Sequence, residues 1–98
     1  NVINSGGVKL FPEEVEKKLA AILISPFFVA GLPDERFGEK LCLFVEGTAA
    51  DDESLRQMKT MIEQALDKYE KPRDIFFIPQ FIYTESGKIR REETMRNR

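Results

Sequence analysis

The sequence predicts an α+β fold: a small sheet of about three strands flanked by helices, a short N-terminal two-stranded hairpin and a lysine-bearing hairpin near the C terminus. Short apolar or β-branched runs alternate with segments of helical periodicity, and no repeat or low-complexity linker interrupts them. The chain has 98 residues, of which 42% are hydrophobic, enough for one modest core. The predicted order is ββ-α-β-β-α-β-hairpin-α, in one domain covering residues 1–98.

The N-terminal hairpin and the first helix are predicted from turn and periodicity signals. Two short apolar runs flank Ser5-Gly6-Gly7, which indicates two strands joined by a tight turn. Residues 12–23 then have a proline suited to the first helical position, two acidic residues in the first turn and apolar residues at helical spacing. Phe11 is a poor N-cap for this helix.

Two strands are predicted next, after the break at Ser25-Pro26. The first is "FFVAGL", residues 27–32, and it ends at the turn 33–39. The second, "KLCLFVEG" at 40–47, is apolar at successive positions, so both of its faces are expected to be covered.

The second half of the chain is predicted to contain a helix, a strand, a hairpin and a terminal helix. "AADDE" supplies acidic caps to the helix, whose apolar stripe is Leu55, Met58, Ile62, Ala65, Leu66 and Tyr69. Pro72 cannot continue that helix, and "DIFFIP" is typical of a strand. "QFIYTESGK" predicts a hairpin with its tip at 84–87, and residues 89–98 predict a short, frayed and highly charged helix.

Composition excludes several function classes. The formal net charge of −2 gives no overall attraction to nucleic acid or to an anionic membrane. The sequence contains neither an apolar run long enough to span a bilayer nor a secretory signal at its start, which predicts a cytoplasmic protein. With no histidine and one cysteine, a thiolate–imidazole pair is impossible, no metal site is predicted, and Cys42 is expected to be a small buried hydrophobe.

The short motif "SGK" at 86–88 is not a nucleotide-binding loop on its own. A Walker-type phosphate loop needs glycine where Ile82 stands and serine or threonine where Ile89 stands. The basic run 88–91 is followed at once by two glutamates, which argues against a nucleic-acid patch. By composition alone, Lys88 would be an exposed hairpin lysine.

Four blocks taken together carry more information than any one of them. "INSGGVKLFPEEVE", "AGLPDERFGE", "YEKPRDIFFI" and "YTESGKIRR" occur in this order and span nearly the whole chain. The sequence resembles the small C-terminal domain of the adenylate-forming enzymes: acyl-CoA synthetases, peptide-synthetase adenylation domains and luciferases. Family members usually have a proline where Ile82 stands. This departure from the family pattern affects how rigidly the hairpin is held.

The resemblance implies a first half-reaction in which ATP and a carboxylic acid give an acyl adenylate. ATP, its Mg²⁺ and the acid would bind a large N-terminal domain that is not part of this chain, and Lys88 would reach into that site. There its ammonium would stabilise negative charge on the α-phosphoryl oxygens. Thr84 and Gly87 would shape the hairpin tip that aims it.

The resemblance also implies a second half-reaction, in which the domain swings and the thiol of CoA attacks the acyl adenylate. Gly6 and Gly7 would line the pantetheine tunnel, because glycine lets backbone approach a ligand without an intervening side chain. Lys9 would lie near a CoA phosphate. The expected partner is therefore the protein's own N-terminal domain, and the isolated domain is expected to be inactive.

Within the family, the compact "SGGVKLFPEEVE" block and the short tail favour the o-succinylbenzoate–CoA ligases of menaquinone biosynthesis, with medium-chain and aryl acids also open. One alternative is a peptide-synthetase adenylation domain that loads a carrier protein. The apparent end of the chain after "RREETMRNR" favours the ligase instead. A second alternative is a non-catalytic α+β binding module.

Overall fold

A computed structural model of the chain describes residues 1–49 and 51–98. This part of the chain forms five strands: β1 (Ile3–Ser5), β2 (Val8–Leu10), β3 (Phe27–Asp34), β4 (Gly38–Glu46) and β5 (Asp74–Ile78). It also forms three α-helices: α1 (Pro12–Leu19), α2 (Asp52–Ala65) and α3 (Arg91–Arg96). The α+β class and the predicted order of elements are confirmed.

β4 is the central strand of the sheet. β3 pairs antiparallel with its whole length, from Asp34 opposite Gly38 to Phe27 opposite Val45. On the other side, β5 runs parallel to Cys42–Glu46, while β1 reaches β4 through Ser5 opposite Gly38. The prediction of about three strands with a separate N-terminal hairpin is therefore wrong in one respect. The β1–β2 hairpin joins the same sheet and makes it five-stranded.

Both faces of β4 are buried, as its apolar pattern predicts. Leu41, Leu43 and Val45 face the side covered by α1 and α2, where they pack in one core with Val15 and Ile62. The alternate residues of β4 face a second core on the opposite side of the sheet, formed with residues of the C-terminal segment. The sheet thus lies between two layers, and the lysine-bearing hairpin belongs to the second.

The second core is largely aromatic. The rings of Phe28 and Phe44 stack with centroids 4.9 Å apart, and Phe76 stacks on Phe44 at 5.2 Å. Phe81 contacts Phe28 at 5.3 Å. Because Phe81 immediately precedes the hairpin, this cluster anchors the hairpin to the sheet.

Both predicted long helices end earlier than their apolar stripes suggest. Residues 20–23 continue α1 only as a tightened turn, in which the Ile22 N–H donates to the carbonyl oxygen of Leu19 at 3.0 Å. α2 ends at Ala65, and Tyr69 lies in a 3₁₀ turn, Lys68–Glu70, with 60% of its surface exposed. The capping box between Asp67 and Glu70 starts this new turn and breaks the longer helix.

The terminal helix α3 is better anchored than the predicted frayed helix. Thr94 is fully buried, and Arg91 forms a two-pronged ion pair with Glu16 of α1, with N–O distances of 2.9 and 3.2 Å. The sequence alone could not link α3 to a helix 75 positions away. Ala50, within the predicted capping segment "AADDE", lies outside the described residues; Asp51 caps α2 by accepting from the Ser54 N–H at 2.8 Å. Within the described residues, every helix is too short or too polar to cross a membrane.

Candidate functional site

Lys88 lies at the end of a tight loop, Thr84–Lys88, here called the lysine loop. The Gly87 N–H donates to the carbonyl oxygen of Thr84 at 3.0 Å, and the Thr84 N–H donates to the carbonyl oxygen of Lys88 at 2.7 Å. Gly87 has φ +88°, a left-handed conformation that glycine adopts readily. The Thr84 Oγ1 accepts from the Lys88 N–H at 3.1 Å, so the three residues that the sequence predicted for this hairpin meet in one turn.

The Lys88 side chain projects from this turn into solvent. The residue is exposed, and its ammonium forms no ion pair with any of residues 1–49 or 51–98. The backbone around it is nonetheless fixed, because Tyr83 and Ile89 form a β-bridge and the Arg90 N–H donates to Ile82 at 2.7 Å. The loop therefore presents an exposed ammonium from a backbone that is held by several hydrogen bonds.

Glu46, the last residue of β4, bonds twice to the segment that enters the lysine loop. One carboxylate oxygen accepts from the Phe81 N–H at 2.8 Å, and the other accepts from the Tyr83 hydroxyl at 3.1 Å. Partial burial and the hydrogen bond to this carboxylate raise the pKa of Tyr83.

Thr94 holds the loop from the other side. Its Oγ1 accepts from the Ile82 N–H at 3.1 Å. Ile82 stands where the family pattern usually has proline, which has no N–H to donate. The departure from the pattern thus coincides with an additional hydrogen bond between the loop and α3.

Gly6 and Gly7 form the two-residue turn between β1 and β2, here called the glycine turn. Their φ angles are +58° and +85°, as a tight hairpin turn with two left-handed residues requires. The Gly6 N–H donates to the carbonyl oxygen of Phe37 at 2.8 Å, and a Cβ on Gly6 would lie 2.9 Å from the Phe37 ring. Gly7 has open space around it, so its backbone is accessible.

A cleft of about 220 Å³ lies beside the glycine turn. It is lined by three cationic side chains and two aromatic ones, four of them from residues 68–73: Lys68, Lys71, Arg73, Tyr69 and Phe37. The Arg73 guanidinium lies 4.9 Å from the centroid of the Phe37 ring. This cationic cleft has the chemistry to hold a phosphorylated ligand with a planar base.

Sequence reasoning missed the cationic cleft and placed weight on Lys9 instead. Val8 and Leu10 line the cleft, and Lys9 alternates to the other face of β2, exposed and opposite Asn4. The available signal was the three basic residues within "KYEKPR". A role for Lys9 at a CoA phosphate stays a prediction.

The glycine turn and the lysine loop do not form one site. Ser5 pairs with Gly38 at the start of β4, while Glu46 at its end holds the lysine loop. Eight residue steps along a strand, at ~3.3 Å each, separate these points by about 26 Å. The described residues also contain no group of three or more acidic, cysteine or histidine side chains arranged to hold a metal ion.

Relatives of known name align with nearly the whole chain. It is 36% identical over 96 residues to a 2-succinylbenzoate–CoA ligase of Enterococcus faecalis, covering 96% of this chain and 19% of that protein. It is 34% identical over 87 residues to a 3-oxocholest-4-en-26-oate–CoA ligase of Rhodococcus rhodochrous, covering 88% of this chain and 16% of that protein. The crystal structure of an AMP-forming acyl-CoA synthetase/AMP-acid ligase II-like protein from Dyadobacter fermentans superposes with a TM-score of 0.89 at 32% identity, over 98% of this chain and 29% of that one.

The chain is homologous to AMP-forming acyl-CoA ligases. The matched region is the short C-terminal part of these ligases. This chain spans only 16–20% of the length of the curated relatives that it matches. No protein-family model matches it.

Proposed function

We propose that this chain is the mobile C-terminal domain of an ATP-dependent, AMP-forming acid–CoA ligase. The observation that carries the proposal is the pair of hairpins at opposite ends of β4, one bearing an exposed lysine and the other a glycine turn beside a cationic cleft. Two chemical steps on one substrate need two sets of groups. Here the lysine loop and the glycine turn supply them from opposite ends of β4. The large domain that binds ATP and the acid lies outside this chain.

In the first half-reaction, Lys88 stabilises charge on the reacting phosphate. A carboxylate oxygen attacks the α-phosphorus of ATP, the bond from that phosphorus to the β-phosphate oxygen breaks, and pyrophosphate leaves. Negative charge builds on the α-phosphoryl oxygens, and a positioned ammonium stabilises it by ~3–4 kcal/mol. The lysine loop suits this role because Thr84 and Gly87 fix its backbone while the four-carbon stem extends beyond it.

In the second half-reaction, the glycine turn borders the path of the CoA thiol. The sulfur attacks the acyl carbon, the carbon–oxygen bond to AMP breaks, and AMP leaves with the thioester formed. Gly6 and Gly7 present backbone without side chains toward the pantetheine arm. Lys68 and Arg73 offer two cations to the phosphates of the CoA nucleotide, and Tyr69 offers a ring to its base. Lys71 is paired with Glu63 at 3.2 Å, and the Phe37 ring is covered by Arg73.

The two roles require the domain to adopt two poses against its N-terminal partner domain. The ends of β4 that contact the two hairpins are about 26 Å apart, too far for both hairpins to serve one active site in a single pose. Rotation of the whole domain between half-reactions meets this requirement, and each ligand favours the pose in which it makes more contacts. Mg²⁺ belongs with ATP on the large domain in this proposal.

The proposed acid is o-succinylbenzoate. Support comes from the Enterococcus faecalis relative, whose name specifies 2-succinylbenzoate. Other relatives have names that specify a steroid acid or long-chain fatty acids. Exchange of pyrophosphate into ATP by the full-length protein, measured with o-succinylbenzoate, fatty acids and aryl acids, should be fastest with o-succinylbenzoate. Faster exchange with a fatty acid would refute this assignment and leave the ligase assignment in place.

The ligase assignment itself is tested by the products. The full-length protein, given a competent acid, ATP, Mg²⁺ and CoA, should release AMP and pyrophosphate and form one thioester per ATP. Formation of ADP, or transfer of the acyl group to a carrier protein but not to free CoA, would contradict the proposal. The CoA ligases among the relatives favour free CoA as the acceptor.

A further inference from the structure

Glu46 connects the central strand to the lysine loop. It ends β4, and its two carboxylate oxygens accept separately from the Phe81 N–H at 2.8 Å and the Tyr83 hydroxyl at 3.1 Å. Phe81 is almost fully buried, whereas Tyr83 keeps 39% of its surface exposed. One side chain therefore fixes both the point where the segment leaves the core and the residue directly before the loop.

The Tyr83 contact fixes the orientation of the lysine loop more directly than the other anchors do. Tyr83 pairs with Ile89 across the base of the loop, so a shift of Tyr83 moves both strands of the hairpin. Thr94 bonds to Ile82 on the side of α3. Glu46 acts from the sheet side, and together the two residues restrain the hairpin from opposite directions.

A lysine that stabilises developing charge is sensitive to small displacements. Its contribution depends on the ammonium reaching the position of the transition-state oxygens, and a misplacement of about 1 Å can slow a reaction by about 10²-fold. Because the exposed ammonium has no ion pair within the described residues, the backbone contacts of the loop set the point from which its stem extends.

We propose that Glu46 is a positioning residue for the adenylation half-reaction, acting on Lys88 through Phe81 and Tyr83. This inference rests on the proposed function, in which Lys88 serves that half-reaction. It assigns a role to a strand residue that lies outside the sequence motifs and would not itself touch ATP or the acid.

The same strand offers a matched comparison at its other end. Glu39, the second residue of β4, accepts from the Asn4 N–H of β1 at 2.9 Å. β1 leads directly into the glycine turn. Glu39 and Glu46 are thus two glutamates of one strand, each bonded to a different hairpin, and their replacement should affect different half-reactions.

The test uses the full-length ligase and measures the two half-reactions separately. Acid-dependent pyrophosphate exchange reports adenylation, and thioester formation from supplied acyl adenylate and CoA reports the second step. Glu46→Ala should lower kcat for adenylation by about tenfold, with KM for ATP and acid unchanged, because only a transition-state interaction is weakened. Thioester formation should stay within about twofold of the parent.

Two further variants separate positioning from general loss of structure. Tyr83→Phe removes one hydroxyl and leaves the Phe81 bond in place, so adenylation should fall by only about threefold. Combining it with Glu46→Ala should cost no more than Glu46→Ala alone, because both remove the same contact. Glu46→Gln keeps one carbonyl acceptor and should restore part of the rate.

The controls are Glu39→Ala and Glu53→Ala. Glu39→Ala should slow thioester formation more than adenylation, and Glu53, which pairs with Arg56 on the exposed face of α2, should be neutral when replaced. Equal loss in both half-reactions for Glu46→Ala, or no loss in adenylation, would overturn the inference. If neither Lys88→Ala nor Glu46→Ala slowed adenylation, the proposed function itself would fail. If Lys88→Ala slowed adenylation and Glu46→Ala did not, only the role of Glu46 would be lost.

Discussion

The glycine turn and the lysine loop lie at opposite ends of β4 and are held by different kinds of contact. The glycine turn depends on backbone geometry: two positive φ angles, a bond from Gly6 to the Phe37 carbonyl and a ring packed where a Cβ would stand. The lysine loop depends on side chains that reach it from other elements, namely Glu46 and Thr94. Both hairpins therefore use contacts distant in sequence, but those of the glycine turn act on its backbone, whereas those of the lysine loop come from side chains.

The largest effect that tests this comparison between the two hairpins is expected at Lys88. In the full-length ligase, Lys88→Ala should slow adenylation by ~10²–10³-fold, since one charged donor to the reacting phosphate is removed. Pyrophosphate exchange measures this effect. Thioester formation from supplied acyl adenylate should be spared. Replacement of Lys17, an exposed lysine of α1, serves as the control for loss of a surface charge and should change neither rate.

The side-chain anchoring of the lysine loop is tested at Thr94. Thr94→Val keeps the shape of the side chain but leaves the Ile82 N–H without its acceptor, which should destabilise this region by ~1–3 kcal/mol. Native-state hydrogen exchange at Ile82 and in α3 of the full-length protein measures the change. Thr60→Val removes a hydrogen bond that the exposed Thr60 hydroxyl donates to the Arg56 carbonyl oxygen of α2, and it should cost much less. Equal costs for the two variants would show that Thr94 has no special role.

The backbone anchoring of the glycine turn is tested at Gly7. Gly7→Leu should slow thioester formation by about tenfold, the equivalent of ~1.4 kcal/mol, and spare adenylation. Gly7→Ala imposes the same unfavourable φ of +85° with less bulk, so it separates backbone strain from obstruction of the thiol path. If leucine and alanine slowed the step equally, strain alone would account for the loss.

The smallest expected effect concerns Cys42, in the strand β4 that joins the two hairpins. Burial, followed by the Asp74 carboxylate, raises the pKa of Cys42 to about 11. The folded state therefore keeps the neutral thiol while the unfolded chain ionises, so this stabilising contribution is full below pH ~9 and is lost as pH rises toward ~11. Iodoacetamide at pH 8 should label Cys42 only after unfolding. Rapid labelling of the native protein would show that β4 opens.

Much of the fold could be predicted because its signals are local. The unbroken apolar run of β4 indicated burial on both faces, and Gly6-Gly7 and Gly87 marked turns that require left-handed backbone. The ends of the helices were harder to predict from the sequence. The apolar stripe of α2 continues to Tyr69, but Asp67 and Glu70 cap a separate turn, and short-range capping competes with periodicity at this point.

The surroundings of the candidate site could not be read from the sequence. Glu46 and Tyr83 are 37 positions apart, and no periodicity links them. Likewise, Phe37 meets Arg73 only because β5 lies beside β4 and brings its preceding loop to the strand's start. Motifs predicted two loops as candidates for chemistry, while the tertiary contacts that orient them required the structure.

The central claim is that the two hairpins serve separate half-reactions, and one quenched single-turnover experiment tests it directly. Full-length enzyme with acid, ATP and CoA is stopped at short times, and bound acyl adenylate is measured in the parent, Lys88→Ala and Gly7→Leu. The account predicts that Gly7→Leu accumulates acyl adenylate above the parent level and that Lys88→Ala accumulates almost none. Acyl adenylate at the same level in both variants would contradict it.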